Sequence, residues 1–449
     1  MTTKCGDSRG MRTRWRVPLT CLAFLLPMFL GIIGSPDAAD GTSVPLDREP
    51  TIRIGLIVDT GQIIISCDGK LRVWRRGSGL RASVLGPGVK LRLLPTMVAH
   101  TVWEASSNTG MLLDWGLALS EVRQGMLGVF VEELIFEPIS PGKPIRVDGK
   151  PYRGEILVRV SRPDALTVIN ALHIEDYLRG VVPPEMGSSP DLPAAVLRAQ
   201  AIASRSYALF YLGRHAKKGF DLQAGVNDQV YGGISVETEP GTRAVISTSG
   251  FVAVHKGRAI RANYSSTCGG TTEASGRVWP GEVFPYLRPV RDRGSGGKDF
   301  CEWSPNYRWT ETWNCTELEK TILKRLPEEV PQAVLRAPSK IKGMKVTKRS
   351  PSGRAEVLEV KTNTGTFRVK GDRIRWVLRR PDGRPLRSTL FKRLKKHHKS
   401  GCTVTLEGAG YGHGVGMCQT GAIAMARHGR TAPQILRHYY RGITLEKWW

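Results

Sequence analysis

Acidic residues are in short supply in this 449-residue chain: 40 Asp and Glu stand against 66 Lys and Arg, leaving a formal charge of +26. That imbalance predicts attraction to a polyanion, whether nucleic acid, anionic lipid or acidic wall polymer. Zinc-finger spacing, the aromatic RNA-binding signatures and a leucine zipper are all missing, which argues against nucleic acid and for an anionic envelope polymer. No C-x-x-C pair occurs, so a sequence-local zinc site is excluded, and neither a metal nor a cofactor is expected. Tandem repeats are absent too, as are low-complexity linkers beyond a short polar stretch after residue 34. What remains is ordinary globular composition, 41% apolar and 24% charged, in a chain long enough for two or three domains.

The one long apolar run lies at the N-terminus. Lys4, Arg9, Arg12, Arg14 and Arg16 precede Val17–Gly34, the pattern of a secretory signal or an uncleaved membrane anchor over residues 1–40. Export is therefore expected, with the cleavage question open. Cys5 and Cys21 belong to this leader. Cys67, Cys268, Cys301, Cys315, Cys402 and Cys418 remain, an even number that an oxidising compartment would allow to pair in many combinations.

Periodicity predicts a mixed α+β protein. Strands are expected at Thr51–Asp59, Gln62–Ser66, Leu71–Trp74 and Val89–Leu94, with a hairpin over Pro144–Val160 turning at Asp148-Gly149, so residues 51–170 are β-rich. A helix from Pro193 to His215, with Asp191 as N-cap, carries two apolar stripes and should be buried on both sides. Strands are expected at Val245–Ser249, Phe251–His255 and Ala259–Ser266, then a helix over Thr316–Leu326. A basic, strand-rich segment spans residues 336–399 and includes Ala355–Val360 and Thr366–Val369. One helix over Gln419–Tyr440 closes the chain.

Four features carry chemistry. Glu185 follows Val181-Val-Pro-Pro184, where two prolines stiffen the loop and apolar neighbours would raise a carboxyl pKa toward general-acid work; the plainer alternative is an acid decorating the approach to a helix. Arg205 lies on an apolar stripe, so its guanidinium needs a substrate, backbone carbonyls or a structural partner such as Glu175 or Asp176. Asn263–Gly270 (Asn-Tyr-Ser-Ser-Thr-Cys-Gly-Gly) ends a strand with hydroxyls suited to a sugar, or is simply a tight turn. Gly410-Tyr-Gly-His-Gly-Val-Gly416 surrounds His413 with glycines that imply unusual dihedrals, and His413 would serve as acid-base group, donor or orienter of Glu185.

Together these motifs resemble the stage II sporulation protein D / amidase enhancer LytB family. The likeness extends through Tyr152-Arg-Gly, Asp176-Tyr-Leu, Gly371–Arg375, Arg387–Phe391 and Ile435–Tyr440, roughly Ile52 to Thr444. It implies a catalytic core over residues 171–445 and lytic transglycosylase activity on stem-peptide-free peptidoglycan strands. Glu185 would act as general acid and then base, with Arg205 and His413 catalytic. Gln200, Tyr264, Ser265, Ser266, Gly412 and Gln419 are expected at the substrate. The alternative is a non-catalytic glycan-binding enhancer of a cell-wall amidase. Three departures stand out. Gly187 replaces the proline after Glu-Met. Asp221–Tyr231 lacks the Cys and His that bind zinc in some relatives. Cys268 and Cys418 occupy positions where relatives often have serine, and are expected to form a disulfide beside the site, with Cys301–Cys315 as a second bridge.

Overall fold

In the strand Thr51–Thr60 every second residue at the start turns inward, so that Ile52 and Ile54 lie wholly in the core. The computed structural model describes residues 46–449 apart from 76–82, 104–108, 122–124, 132, 188, 295, 393 and 398–401; the expected leader lies outside the described residues. Thr51–Thr60 pairs antiparallel with Ala165–His173, from Thr51 opposite His173 to Thr60 opposite Leu166. These two belong to a seven-stranded sheet ordered Leu222–Gln223, Thr51–Thr60, Ala165–His173, Glu155–Arg162, Glu133–Pro138, Leu71–Arg75, Ser83–Leu85. A second, six-stranded sheet runs Lys150–Tyr152, Ile145–Val147, Ile63–Cys67, Val89–Trp103, Thr109–Glu121, Gly125–Val131. Ile63, Ile65, Leu91 and Leu93 of one sheet share a core with Phe136, Ile156, Val158 and Val168 of the other. Asp148 and Gly149 both have positive φ, the geometry a two-residue hairpin demands. The β-rich N-terminal part is as expected.

Four helices follow: α1 (Ile174–Arg179), α2 (Val182–Met186), α3 (Ala194–Phe210) and α4 (Glu239–Ser247). Buried side chains on both sides of α3 place it inside the fold, against α4, the strand Phe251–His255 and the C-terminal helices. Its N-cap is Pro193, with no side-chain cap, so Asp191 does not serve. Val245–Ser249, expected as a strand for its β-branched residues, falls instead at the end of α4. Thr238 caps that helix by accepting from the Gly241 N–H, and Pro240 sits in the first turn. The expected single C-terminal helix is two, Gln419–Arg427 and Ala432–Tyr439. They part at Gly429 (φ +78°), and Thr431 opens the second with a capping box to Gln434.

A second core is built on Trp309, Trp313, Leu318, Ile322, Leu358 and Phe367. It joins the sheet Arg308–Asn314, Thr403–Ala409, Lys395–His397 and the meander Ile341–Arg349, Ala355–Thr362, Thr366–Lys370 to the helix Cys315–Glu329. In the basic segment Thr366–Lys370 buries alternate residues while Ile341–Arg349 buries none, and many of the charges face solvent. No helix among the described residues is long and apolar enough to cross a membrane.

Candidate functional site

Tyr264 and Ser265 pair in parallel with Met417 and Cys418, which brings the two remote glycine-rich motifs together as a cleft floor. Gly410, Gly412, Gly414 and Gly416 all have positive φ. At Gly412 (φ +104°) an added Cβ would also stand 2.9 Å from that of Ser265, so the close approach requires glycine. The cleft has a volume of about 670 Å³ and is lined by Glu185, Tyr264, Ser265, Ser266, Gly412, His413 and Gln419 among others. Seven of the nine residues expected at the site are thus brought together.

Glu185 sits in the last turn of α2 with its carboxyl turned into the cleft. Burial raises its pKa above the ordinary carboxylate value, while the Val230 N–H, 2.8 Å from Oε1, and the Tyr264 hydroxyl pull it partly back. Among the described residues no cation is ion-paired to it. Its backbone carbonyl accepts from Gln419 Nε2 at 2.9 Å, and the same amide lies 3.4 Å from Gln200 Oε1. Gln200 is fully buried and bonded to Ser204, so it acts behind the cleft wall rather than at the surface of the cleft. The chain leaves α2 through Gly187 at φ +87°, ψ 157°, a region open essentially to glycine alone. A proline, fixed near φ of about −65°, has no place there.

His413 accepts the Val415 N–H on Nδ1 at 3.0 Å, which leaves Nε2 to carry the proton of the neutral ring. Burial lowers its pKa to about 4, and Arg375, Arg261 and Arg354 push the same way against Asp372. It is therefore a neutral donor rather than a base at ordinary pH. Its ring packs on Trp279, centroids 4.9 Å apart.

Arg205 is the exception. It is wholly buried, with Nε and Nη2 donating to Glu175 at 2.9 and 2.6 Å and Nη1 donating to the Phe251 carbonyl at 3.0 Å, and it does not line the cleft. Of the two roles open to it in the sequence, the structure gives it the ion pair.

Sequence reasoning missed several groups. Gln229, buried, accepts from Tyr177 Oη at 3.1 Å and donates to Tyr264 Oη at 3.0 Å, fixing the tyrosine that faces Glu185. Burial and the nearby Glu185 charge drive the Tyr264 pKa well up, so it remains a phenol. Arg214, Arg261, Arg375 and Arg384 surround the cleft, with Trp279 and Trp376 offering ring faces. The Arg261 guanidinium stacks 4.6 Å from the Trp279 ring. In the Asp221–Tyr231 stretch, Asp228 bonds to Arg214 (2.5 Å), His215 (2.9 Å) and the Gln223 N–H (2.9 Å).

The expected disulfides are corrected. Cys315 joins Cys402 across 87 residues, tying the start of its helix to the strand Thr403–Ala409. This pairing rules out Cys301–Cys315. Cys268 and Cys418 are unpaired, and Cys301 lies beside them rather than near Cys315.

The stage II sporulation protein family profile matches residues 162–255, and a domain of unknown function (DUF8618) matches residues 297–416. The chain is 31% identical over 339 residues to an uncharacterized protein of Brachyspira hyodysenteriae, covering 74% of this chain and 79% of that one. It is 31% identical over 345 residues to the amidase enhancer of Bacillus subtilis, covering 69% of this chain but only 46% of that protein, less than half its length. Against stage II sporulation protein D of Bacillus subtilis the identity is 28% over 294 residues, with 62% and 76% coverage. With these relatives and with its motifs gathered round one cleft, the chain belongs to the stage II sporulation protein D / amidase enhancer LytB family.

Proposed function

We propose that this protein is a lytic transglycosylase that cuts stem-peptide-free peptidoglycan strands, with Glu185 as its single acid and base. The observation that carries the reading is the desolvated Glu185 carboxyl in a cleft where the other acids are engaged. Asp228 is bound by Arg214 and His215, and Asp372 by Arg375 and Trp376. A hydrolase with two free carboxylates at glycosidase spacing is not supported by such a cleft. One carboxyl suffices for the non-hydrolytic route: Glu185 protonates the glycosidic oxygen as the C1–O bond breaks. Its carboxylate then takes the proton of the muramic C6 hydroxyl as that oxygen attacks C1, giving a 1,6-anhydro end. Tyr264 and the Val230 N–H stabilise the carboxylate between the two transfers, and neutral His413 offers Nε2–H to the sugar. The cleft arginines suit the lactyl carboxylates that a stripped strand exposes, and Trp279 and Trp376 suit the apolar faces of its sugars.

The protein acts outside the cytoplasm in this reading, which the Cys315–Cys402 bond supports. Its +26 charge suits an anionic envelope polymer as a further partner. A second reading, a glycan-binding enhancer of a separate amidase, draws on the name of one relative and on the position of Arg205 away from the cleft. Digestion of stem-free strands with wild type and Glu185→Gln, followed by mass spectrometry, separates the two. Anhydro ends that vanish in the variant support the transglycosylase; intact strands, still bound by both proteins, support the enhancer.

A further inference from the structure

Behind the cleft floor, Cys268, Cys301, Cys418 and Asp292 meet from three separate stretches of chain, their donor atoms all within 4.8 Å of one another. All four are buried. Cys268 Sγ stands 3.6 Å from Cys301 Sγ and 3.2 Å from Asp292 Oδ2. A disulfide would need about 2.05 Å between sulfurs. Four ligands around zinc with Zn–S of about 2.3 Å stand roughly 3.8 Å apart, which matches the spacing seen.

Three thiols cannot all pair with one another, so a bridge between any two would strand the third beside a buried carboxylate. The surrounding groups suit anionic ligands. The Cys268 N–H donates to Cys418 Sγ at 3.2 Å, and the Gly270 N–H to Cys268 Sγ at 3.4 Å. Tyr439 Oη donates to Asp292 Oδ1 at 2.5 Å, holding the carboxylate so that Oδ2 faces the sulfurs. The buried guanidinium of Arg354 donates to the Cys268 carbonyl at 2.6 Å and supplies compensating charge.

We infer that Cys268, Cys301, Cys418 and Asp292 form a closed, four-coordinate structural zinc site. Each thiol that binds releases one proton, and three thiolates with one carboxylate fill the tetrahedron without leaving a position for water. The site holds no substrate; it positions those residues that do. Cys268 follows Tyr264–Ser266, Cys418 precedes Gln419, and the 292–301 loop reaches the same point, its neighbour Trp303 donating to the Thr420 carbonyl at 3.2 Å. Zinc would fasten these stretches into one floor beneath Glu185.

The test is metal content, read without any glycan and so independent of the proposed reaction. The full-length protein, purified without chelator, should carry close to one zinc per chain by inductively coupled plasma mass spectrometry. Cys301→Ser and Asp292→Ala should each lower that content severalfold. Should either variant fail to fold, the wild type decides alone: cobalt replacing zinc should give the intense visible and thiolate charge-transfer bands of a tetrahedral sulfur-rich site. Wild-type protein that takes up no zinc or cobalt after reduction and reconstitution overturns the inference. So does a peptide map showing a disulfide between any two of the three cysteines in protein never exposed to reductant.

Discussion

Replacing Arg205 tests whether this residue serves the scaffold or the reaction. Its guanidinium is 0% exposed and makes three hydrogen bonds, two to Glu175 and one to the Phe251 carbonyl. Glu175 also accepts the Gly250 N–H at 3.1 Å, so the pair ties α1, α3 and the strand Phe251–His255 together. In Arg205→Ala, Glu175 would keep that one neutral donor and lose its counter-charge inside the core. Breaking a buried pair in this way costs about 3–5 kcal/mol. Arg205→Lys keeps the charge but not the two-pronged fork, and should cost roughly 2 kcal/mol. Removing both charges, as Arg205→Met with Glu175→Leu, should recover most of the loss because no ion is left unpaired. Urea unfolding followed by tryptophan fluorescence measures these differences, and glycan digestion well below each unfolding midpoint measures the rest. The stabilised double variant should regain cleavage along with stability. Arg205→Ala with wild-type stability but no cleavage would refute the reasoning and return the guanidinium to the substrate.

Glu185→Gln should lower turnover at least about 10³-fold while leaving glycan binding intact. The wild-type rate should fall as pH rises through the elevated Glu185 pKa, since the first step needs the protonated acid. Tyr264→Phe removes a bond to the anion, so this descending limb should move to higher pH; a shift downward would contradict the assigned contact. His413, with a folded pKa of about 4 against an unfolded value near ~6.5, should give full stability above pH ~6.5 and lose up to roughly 3 kcal/mol as pH falls toward 4. His413→Asn should flatten that slope in urea midpoints taken at stepped pH; an unchanged slope would assign it to His438, whose burial brings it to about 4 as well. Replacing Cys315 and Cys402 by serine should cost up to about 4 kcal/mol, given the length of the closed loop, with calorimetry as the check. Gly187→Pro should cut cleavage roughly 10²-fold or more by moving the end of α2, and equal activity would show that the φ of +87° is not needed.

Local signals carried far in this chain. Asp148-Gly149 announced a hairpin, and the alternation of Ala355–Val360 a strand, because turn chemistry and pleat are set by neighbours in sequence. Glu185, Tyr264 and His413 stood out as candidates because glycines and prolines around them have few other uses, and Gln419 through the family likeness; the structure sets all four around one cleft. Illegible features depend on partners far along the chain. The sequence offered Glu175 or Asp176 to Arg205 without choosing between them, and Gln229 sits in a stretch noted only for the Cys and His it lacks. Cys268, Asp292, Cys301 and Cys418 have no short spacing, so only the fold reveals that they share a point. At Val245–Ser249 the β-branched run suggested a strand, but the capped start at Thr238-Glu-Pro240, visible upstream, set a helix that ran into it.

Gln419 holds the main chain of Glu185 from 234 positions away. The strand Phe251–His255, against which Arg205 anchors α3, is itself paired with Thr444–Lys447 at the very end of the chain. The acid is thus placed by tertiary contacts rather than by its own stretch of chain: the fold as a whole, not the proline-stiffened turn alone, decides where the Glu185 carboxyl points.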